Sequence, residues 1–214
     1  MRSFYLAKRL GVTQSMFFTK SLNLMQTKNF LKKITYKVYG HEAEGLRRTL
    51  MKSIGSLIAK RLKPFGCIIS CNSTSQKHRI PYRYYPDLLS LAANNDVNVL
   101  SCALNDQTHH IVDREVMEAL GKKGIIINVG RGGLIDEMEM VKCLVDGVIG
   151  GAGLDVFEKE LGVPEELFGL DNVVLSPHAA MVTPGSLDNI AQLALANLKA
   201  FFSDQPLIFP VQLD

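Results

Sequence analysis

Residues 125–132 read Ile-Ile-Ile-Asn-Val-Gly-Arg-Gly, an unbroken apolar run that ends in an arginine flanked by glycines. Continuous apolar character is typical of a strand that is buried on both faces, at the centre of a parallel sheet. From residue 53 onward, similar short β-branched runs alternate with segments of helical pattern. This alternation indicates repeated βα units, and it predicts an α/β fold with a doubly wound parallel sheet.

Apolar spacing and capping residues place the individual elements. The sequence predicts strands over 67–71, 97–102, 125–129, 149–154 and 172–175. It predicts helices over 54–65, 86–93, 113–120 (Asp113 as N-cap), 137–145 (Asp136 as N-cap) and a long helix from Pro184, followed by an extended tail over 206–214.

The first strand of the sheet is harder to place. Its position before the first helix falls on Leu46-Arg-Arg-Thr-Leu50, and burying two unpaired arginines would be very costly. Either this segment is displaced or it lies at a sheet edge. Residues 34–39, Ile-Thr-Tyr-Lys-Val-Tyr, have the alternation of a strand and are the alternative occupant.

Charge and composition suggest three parts and exclude two classes of partner. Residues 1–40 hold eight Lys and Arg and no acid, which fits either an organelle-targeting presequence or an abnormal 5′ region of the gene. We predict a basic segment over 1–45, a dinucleotide-binding domain over 46–183, and a helix and tail over 184–214. Because the basic charge lies outside the folded domain, no nucleic-acid partner is expected. No apolar run approaches the roughly 18 residues of a membrane span.

Cysteine and histidine usage predicts neither disulfides nor a metal site. The four cysteines are Cys67, Cys71, Cys102 and Cys143, and their number and spacing favour a reducing compartment, the cytoplasm. Cys67 and Cys71 bracket a strand, which would hold them roughly 13 Å apart. That separation exceeds both disulfide and zinc reach. His109 and His110 are adjacent, and the sequence places no further ligand at a suitable spacing from them.

Charged residues follow three successive predicted strands. Arg131 follows the strand over 125–129, Asp155 ends the next, with Glu160 five residues on, and His178 follows the last. Each alone is typical of a solvated loop, but ligands bind beyond the carboxyl ends of parallel strands. An arginine can hold a carboxylate and polarise a carbonyl, and a histidine beside a carboxylate can donate a proton near neutral pH. This set suits the reduction of a 2-oxo acid.

Six stretches between about residue 53 and residue 214 form a recognisable pattern: Ser53-Ile-Gly-Ser56, Ser101-Cys-Ala-Leu104 with Thr108, Ile127-Asn-Val-Gly-Arg-Gly132, Gly151-Ala-Gly-Leu-Asp-Val-Phe-Glu158, Leu167-Phe-Gly-Leu-Asp-Asn-Val173 and Ser176-Pro-His178. In these stretches the chain resembles the D-isomer-specific 2-hydroxyacid dehydrogenases, and among them the plant hydroxyphenylpyruvate and glyoxylate/hydroxypyruvate reductases. The resemblance implies a Rossmann-type domain that binds NADP, or alternatively NAD. It also implies a small 2-oxo acid substrate: glyoxylate, hydroxypyruvate or hydroxyphenylpyruvate.

The resemblance also implies roles for single residues. Arg131 would pair with the substrate carboxylate, His178 would donate the proton, and Glu160 would hydrogen-bond His178. The implied cofactor-binding residues are Ser53, Ile54, Gly55, Ser73, Thr74, Ser75, Cys102, Ala103, Thr108, Val129, Gly130, Arg131 and Asp155.

Three departures from the family pattern bear on activity. Leu50 and Lys52 stand where the family has glycines that approach the pyrophosphate, and Thr74 stands where NADPH-preferring members have arginine, although Lys77 could supply charge. The substrate domain, with the adjoining dimer contact, is expected to be largely missing. We therefore expect either a reductase or a truncated homologue that is catalytically impaired or inactive.

Overall fold

The computed structural model describes residues 33–37 as backbone and residues 54–73, 81–160 and 162–208 with side chains. Within this described part, seven parallel strands form one sheet. They are β1 Lys33–Lys37, β2 Ile68–Asn72, β3 Arg83–Tyr84, β4 Val97–Leu100, β5 Ile125–Asn128, β6 Gly151–Leu154 and β7 Val173–Leu175.

The strand order is β3-β2-β1-β4-β5-β6-β7, so the order reverses between β1 and β4. This arrangement is that of a doubly wound dinucleotide-binding sheet, whose ligand crevice opens at the reversal. The α-helices are α1 Ile54–Leu62, α2 Leu88–Ala93, α3 Arg114–Leu120, α4 Glu137–Val145 and α5 Pro184–Phe202. The predicted α/β fold is confirmed.

Local signals in the sequence fix the helix ends. Asp113 accepts a hydrogen bond from the backbone N–H of Val116 at 3.0 Å, and Asp136 accepts one from Glu139 at 3.1 Å. Both predicted N-caps are confirmed. Gly121 ends α3 with φ +78°, a left-handed backbone conformation that side chains disfavour.

The alternative occupant of the first strand position is confirmed. Strand β1, over Lys33–Lys37, pairs with β2 on one side and with β4 on the other. The centre of the sheet thus comes from the segment that the sequence analysis set apart as residues 1–45. Residues 46–50, the other candidate, lie outside the described residues.

Alternate residues of the central strands pack into two hydrophobic clusters. Leu100 and Ile126 belong to the larger cluster, together with α2, α3 and α4. Val97, Val99 and Ile125 belong to the smaller one, with α1. Because apolar side chains cover both faces of β5, this strand needs the continuous apolar sequence that predicted it.

Helix α5 is the exception to this packing. None of its residues is buried, and Phe201 is 65% exposed. Although α5 has 19 residues, no helix in the described ranges combines the length and apolar character that a membrane span requires.

A buried asparagine on β4 gives a stability prediction. Asn98 is 2% exposed, and neither its Nδ2 nor its Oδ1 finds a hydrogen-bond partner among the described residues. A buried amide without partners lowers stability. We expect Asn98→Val to raise the free energy of unfolding by about 1 kcal/mol in guanidinium denaturation.

Asn72 supplies the matched control: it is equally buried and its Oδ1 also lacks a partner among the described residues, but its Nδ2 donates to the Tyr85 carbonyl oxygen at 2.8 Å. Asn72→Val should therefore lower the free energy of unfolding. Destabilisation by both substitutions would show that the Asn98 amide is hydrogen-bonded in solution.

Candidate active site at the carboxyl edge of the sheet

Parallel register brings the carboxyl ends of three strands to one level. Asn128 of β5 pairs with Leu154 of β6, which pairs with Leu175 of β7. The ladder continues past the strands, since the N–H of Asp155 donates to the Asn128 carbonyl at 3.0 Å and that of Ser176 donates to Leu154 at 2.8 Å. The residues that follow these strands therefore emerge side by side.

The Asn128 side chain shapes the loop that carries Arg131. Its Oδ1 accepts from the N–H of Gly130 at 3.0 Å, and its Nδ2 donates to the carbonyl oxygen of Arg131 at 2.9 Å. Asn128 is 1% exposed, whereas Arg131 is exposed. The loop backbone is thus held by a buried amide while the guanidinium is presented at the edge of the sheet.

Gly132 brings the Arg131 loop against the segment after β6. A Cβ at Gly132 would lie 1.9 Å from the carbonyl carbon of Phe157 and 2.1 Å from its oxygen, so only glycine fits there. The chain that continues from Phe157 carries Glu160 two residues after Glu158. Close backbone contact therefore links the loop of Arg131 to the segment of Glu160.

His178 and Glu160 form a direct pair. The Nδ1 of His178 lies 2.5 Å from Oε1 of Glu160, and both side chains are half-buried. His178 has φ +52°, a left-handed conformation that costs roughly 1–2 kcal/mol for a residue with a Cβ. The predicted histidine–carboxylate pair is present in the structure, and the backbone after β7 is strained at that histidine.

The Asp155 carboxylate holds the backbone that follows His178. Oδ1 accepts from the N–H of Ala179 at 2.9 Å, and Oδ2 accepts from the N–H of Ala180 at 3.1 Å. Asp155 is 2% exposed and directly follows β6. The structure thus gives it a positioning role that the sequence did not indicate, while its contact with a cofactor stays a prediction.

Three of the predicted cofactor-binding residues lie in the loop after β4. Cys102 is buried, Ala103 is exposed, and Thr108 is 1% exposed. The Oγ1 of Thr108 donates to the Ala103 carbonyl at 2.9 Å and closes the loop. A Cβ at Gly130 would lie 3.0 Å from the Cys102 carbonyl oxygen, so the loops after β4 and β5 are adjacent.

The structure describes some of the other predicted cofactor-binding residues and leaves the rest outside its described ranges. Ile54 and Gly55 begin α1, Ser73 follows β2 and is buried, and Val129 follows β5. Outside the described residues lie Ser53, Thr74 and Ser75, together with Leu50, Lys52 and Lys77.

The family model described as D-isomer specific 2-hydroxyacid dehydrogenase, NAD binding domain, matches residues 14–180. The chain belongs to this family. It is 76% identical over 162 residues to a glyoxylate/hydroxypyruvate reductase of Arabidopsis thaliana, a match that covers 76% of this chain and 50% of the relative.

Two further proteins, one compared by sequence and one by structure, are similar to this chain. The chain is 50% identical over 158 residues to a hydroxyphenylpyruvate reductase of Plectranthus scutellarioides, covering 74% of this chain and 50% of the relative. The crystal structure of the NADPH-dependent glyoxylate/hydroxypyruvate reductase of Sinorhizobium meliloti, in complex with NADP and malonate, superposes with a TM-score of 0.75 at 36% identity. That match covers 84% of this chain and 53% of the bacterial chain. The chain spans about half the length of the curated relatives it matches.

The described residues fit the dinucleotide of this dehydrogenase family. Helix α1 begins with no acidic side chain in its first turn, so nothing there repels a phosphate. Ser176, at the end of β7, is 1% exposed, and its Oγ has no hydrogen-bond partner among the described side chains and backbone. An orphaned hydroxyl at the carboxyl edge is available to a bound ligand.

Sequence reasoning missed Glu137, the first residue of α4. Its Oε2 accepts from the backbone N–H of Glu158 at 3.1 Å, and the residue is 7% exposed. Burial raises the pKa of the Glu137 carboxyl. Its only signal in the sequence is an acid beside the cap residue Asp136, which is common at helix starts and did not point to a contact 21 residues away.

The four cysteines are free and buried. Burial raises the pKa of the Cys67, Cys71 and Cys143 thiols, which disfavours the thiolate that metals require. The absence of a metal site stays a prediction, but the fold does bring Glu158 to His109 and His110.

The hydrogen bonds of Asp155 predict that replacing this residue destabilises the turn after β7 locally. We expect Asp155→Asn to weaken the turn after β7, because an amide retains one acceptor and places an NH₂ group against a backbone N–H. The free energy of unfolding should fall by about 1–3 kcal/mol. Hydrogen exchange should accelerate at the amides of Ala179 and Ala180 more than in β5. Uniform exchange across the chain would contradict a local role.

The raised pKa of Glu137 predicts a pH-dependent difference in stability. The folded state favours the protonated acid, so the unfolding free energy falls as the pH rises through the folded pKa. Glu137→Gln keeps an acceptor for the Glu158 N–H and escapes this loss. We expect the variant to be more stable than the wild type at neutral pH and equally stable in acid, in denaturation curves recorded across pH.

Glu139→Gln is the control of opposite sign. Hydrogen bonds from Lys142 and Arg114 hold the pKa of Glu139 below its usual value. That variant should be less stable than the wild type at neutral pH, and the difference should vanish as the pH falls through the pKa. Parallel pH profiles of stability for the wild type and both variants would refute the raised pKa of Glu137 and the lowered pKa of Glu139.

Proposed function

We propose that this chain is the cofactor-binding and catalytic part of an enzyme that reduces a small 2-oxo acid to the 2-hydroxy acid. Glyoxylate and hydroxypyruvate are the first candidates, and hydroxyphenylpyruvate is the third. The observation that carries the proposal is the His178–Glu160 pair, held 2.5 Å apart at the same sheet edge as Arg131.

Arg131 supplies the charge that a 2-oxo acid needs. A planar guanidinium binds a carboxylate through two parallel hydrogen bonds and can polarise an adjacent carbonyl. In this chain its Nη1 already donates to the Gly130 carbonyl at 2.8 Å, which fixes the direction of the side chain. The exposed guanidinium retains further N–H donors for substrate.

His178 supplies the proton. With Nδ1–H directed at Glu160, the protonated imidazole carries its second proton on Nε2, and this proton goes to the carbonyl oxygen as it becomes a hydroxyl. Glu160 orients the ring and stabilises the imidazolium. The amides held by Asp155 fix the turn in which the histidine stands.

The cofactor is a reduced nicotinamide dinucleotide, which supplies hydride to the carbonyl carbon. NADPH is proposed before NADH, because the Sinorhizobium meliloti relative is named NADPH-dependent. Ser73, directly after β2, stands at the position where the extra phosphate is expected. The crevice at the reversal of strand order, between β1 and β4, is the proposed cofactor site.

The first experiment is a calorimetric titration of the full chain with NADPH and NADH, followed by turnover assays with glyoxylate and hydroxypyruvate. We expect binding of NADPH and measurable reduction. His178→Asn should lower kcat by about 10²–10⁴-fold without changing cofactor affinity, because it removes the proton donor. Asparagine is chosen since it tolerates the left-handed backbone of this position.

Glu115→Gln is the control, an exposed acid on α3 outside the segments that carry the site residues, and its kcat should match the wild type. Folded protein that binds neither cofactor would refute the proposal in favour of an inactive homologue. Full turnover in His178→Asn would refute the role of the histidine.

A further inference from the structure

A second histidine–carboxylate group lies beside the proposed active site. His109, His110 and Glu158, the HHE cluster, each place one ligand atom within 4.8 Å of the others. The Nε2 of His110 lies 2.5 Å from Oε1 of Glu158, and the two imidazole rings stack with centroids 3.9 Å apart. None of these residues has a role in the proposed reduction.

The backbone at His110 builds this arrangement. His110 has φ +49°, and its N–H donates to the Gly133 carbonyl at 2.8 Å. Adjacent side chains of an extended strand point to opposite faces, whereas this left-handed residue keeps both imidazoles on one side. A strained backbone that converges two histidines is a typical feature of functional positions.

Glu158 is held from the opposite side. Its backbone N–H donates to the buried Glu137, and the preceding Phe157 packs against Gly132. The side chains of Glu158 and His110 remain about one-third exposed, at 30% and 34%. An ion from solution can therefore reach ligands whose backbone is already fixed.

The donor set indicates the class of ion. Two imidazoles and one carboxylate form the three-ligand set of many zinc sites, in which water completes the tetrahedron. Ligand atoms at about 2.1 Å from one ion lie roughly 3.4 Å from each other, so binding requires the side chains to rotate out of their ring stack and out of the His110–Glu158 hydrogen bond. Calcium and magnesium prefer sets made only of oxygen ligands.

We infer that the HHE cluster binds one divalent transition-metal ion, with Zn²⁺ as the representative ligand. The bound ion would connect the loop after β4 to the segment after β6 that carries Glu160. Through the hydrogen bond from His110 to Gly133, it would also brace the loop that carries Arg131. This inference stands without the proposed reductase activity, because it concerns binding alone.

The test is a calorimetric titration of the metal-free full chain with ZnCl₂ in buffer without chelators. We expect one equivalent to bind. His110→Asn, which tolerates the left-handed backbone, and Glu158→Gln should each raise Kd by at least about tenfold. Glu115→Gln, an exposed acid on α3, and His178→Asn, which breaks the other histidine–carboxylate pair, should leave Kd unchanged.

Co²⁺ substitution gives a second readout. We expect visible absorption of a nitrogen- and oxygen-ligated ion, lost in His110→Asn. A thiolate charge-transfer band would assign the ion to a cysteine and overturn the inference. The inference is also overturned if the folded protein binds no Zn²⁺ or if Kd is unchanged in both cluster variants. It is overturned equally if Zn²⁺ binding is lost only in His178→Asn.

Discussion

The parallel register of β5, β6 and β7 is the constraint on which the site depends. Because Asn128, Leu154 and Leu175 lie level, every loop that follows begins at one edge of the sheet. A slip of one residue in any strand would invert its side chains between the two faces and displace its loop. Such a slip would also move Asn128 and Asp155 away from the backbone groups that they bind, so these hydrogen bonds favour the observed register.

Three side chains hydrogen-bond the backbone of the segments that carry the site residues and so fix their positions. Asn128 shapes the loop of Arg131, Asp155 binds the amides after His178, and Glu137 binds the amide of Glu158. All three supporting residues are buried, whereas Arg131, His178 and Glu160 are exposed or half-buried. The reactive side chains therefore remain accessible to ligands, while buried residues fix the backbone that carries them.

Sequence reasoning predicted the fold in most elements, because apolar runs and helix caps are local signals. The bounds of α4 and the caps Asp113 and Asp136 are as predicted, while the two-residue strand β3 is too short for a pattern. In the site, strand-end positions and the family resemblance predicted the pairing of His178 with Glu160. The cluster of His110 with Glu158 was missed because 48 residues separate them, and no local pattern encodes such a contact.

The position of β1 has a consequence for how the chain acquires its structure. Its partner β4 lies roughly sixty residues further along, as in the pairing of Ile34 with Val97. During synthesis from the N-terminus, the central strand therefore waits with both edges unpaired until β2 and then β4 have emerged. Long-range parallel pairing of this kind slows folding, and an unpaired central strand is open to association with other chains. Late completion of the sheet is thus a consequence of this topology.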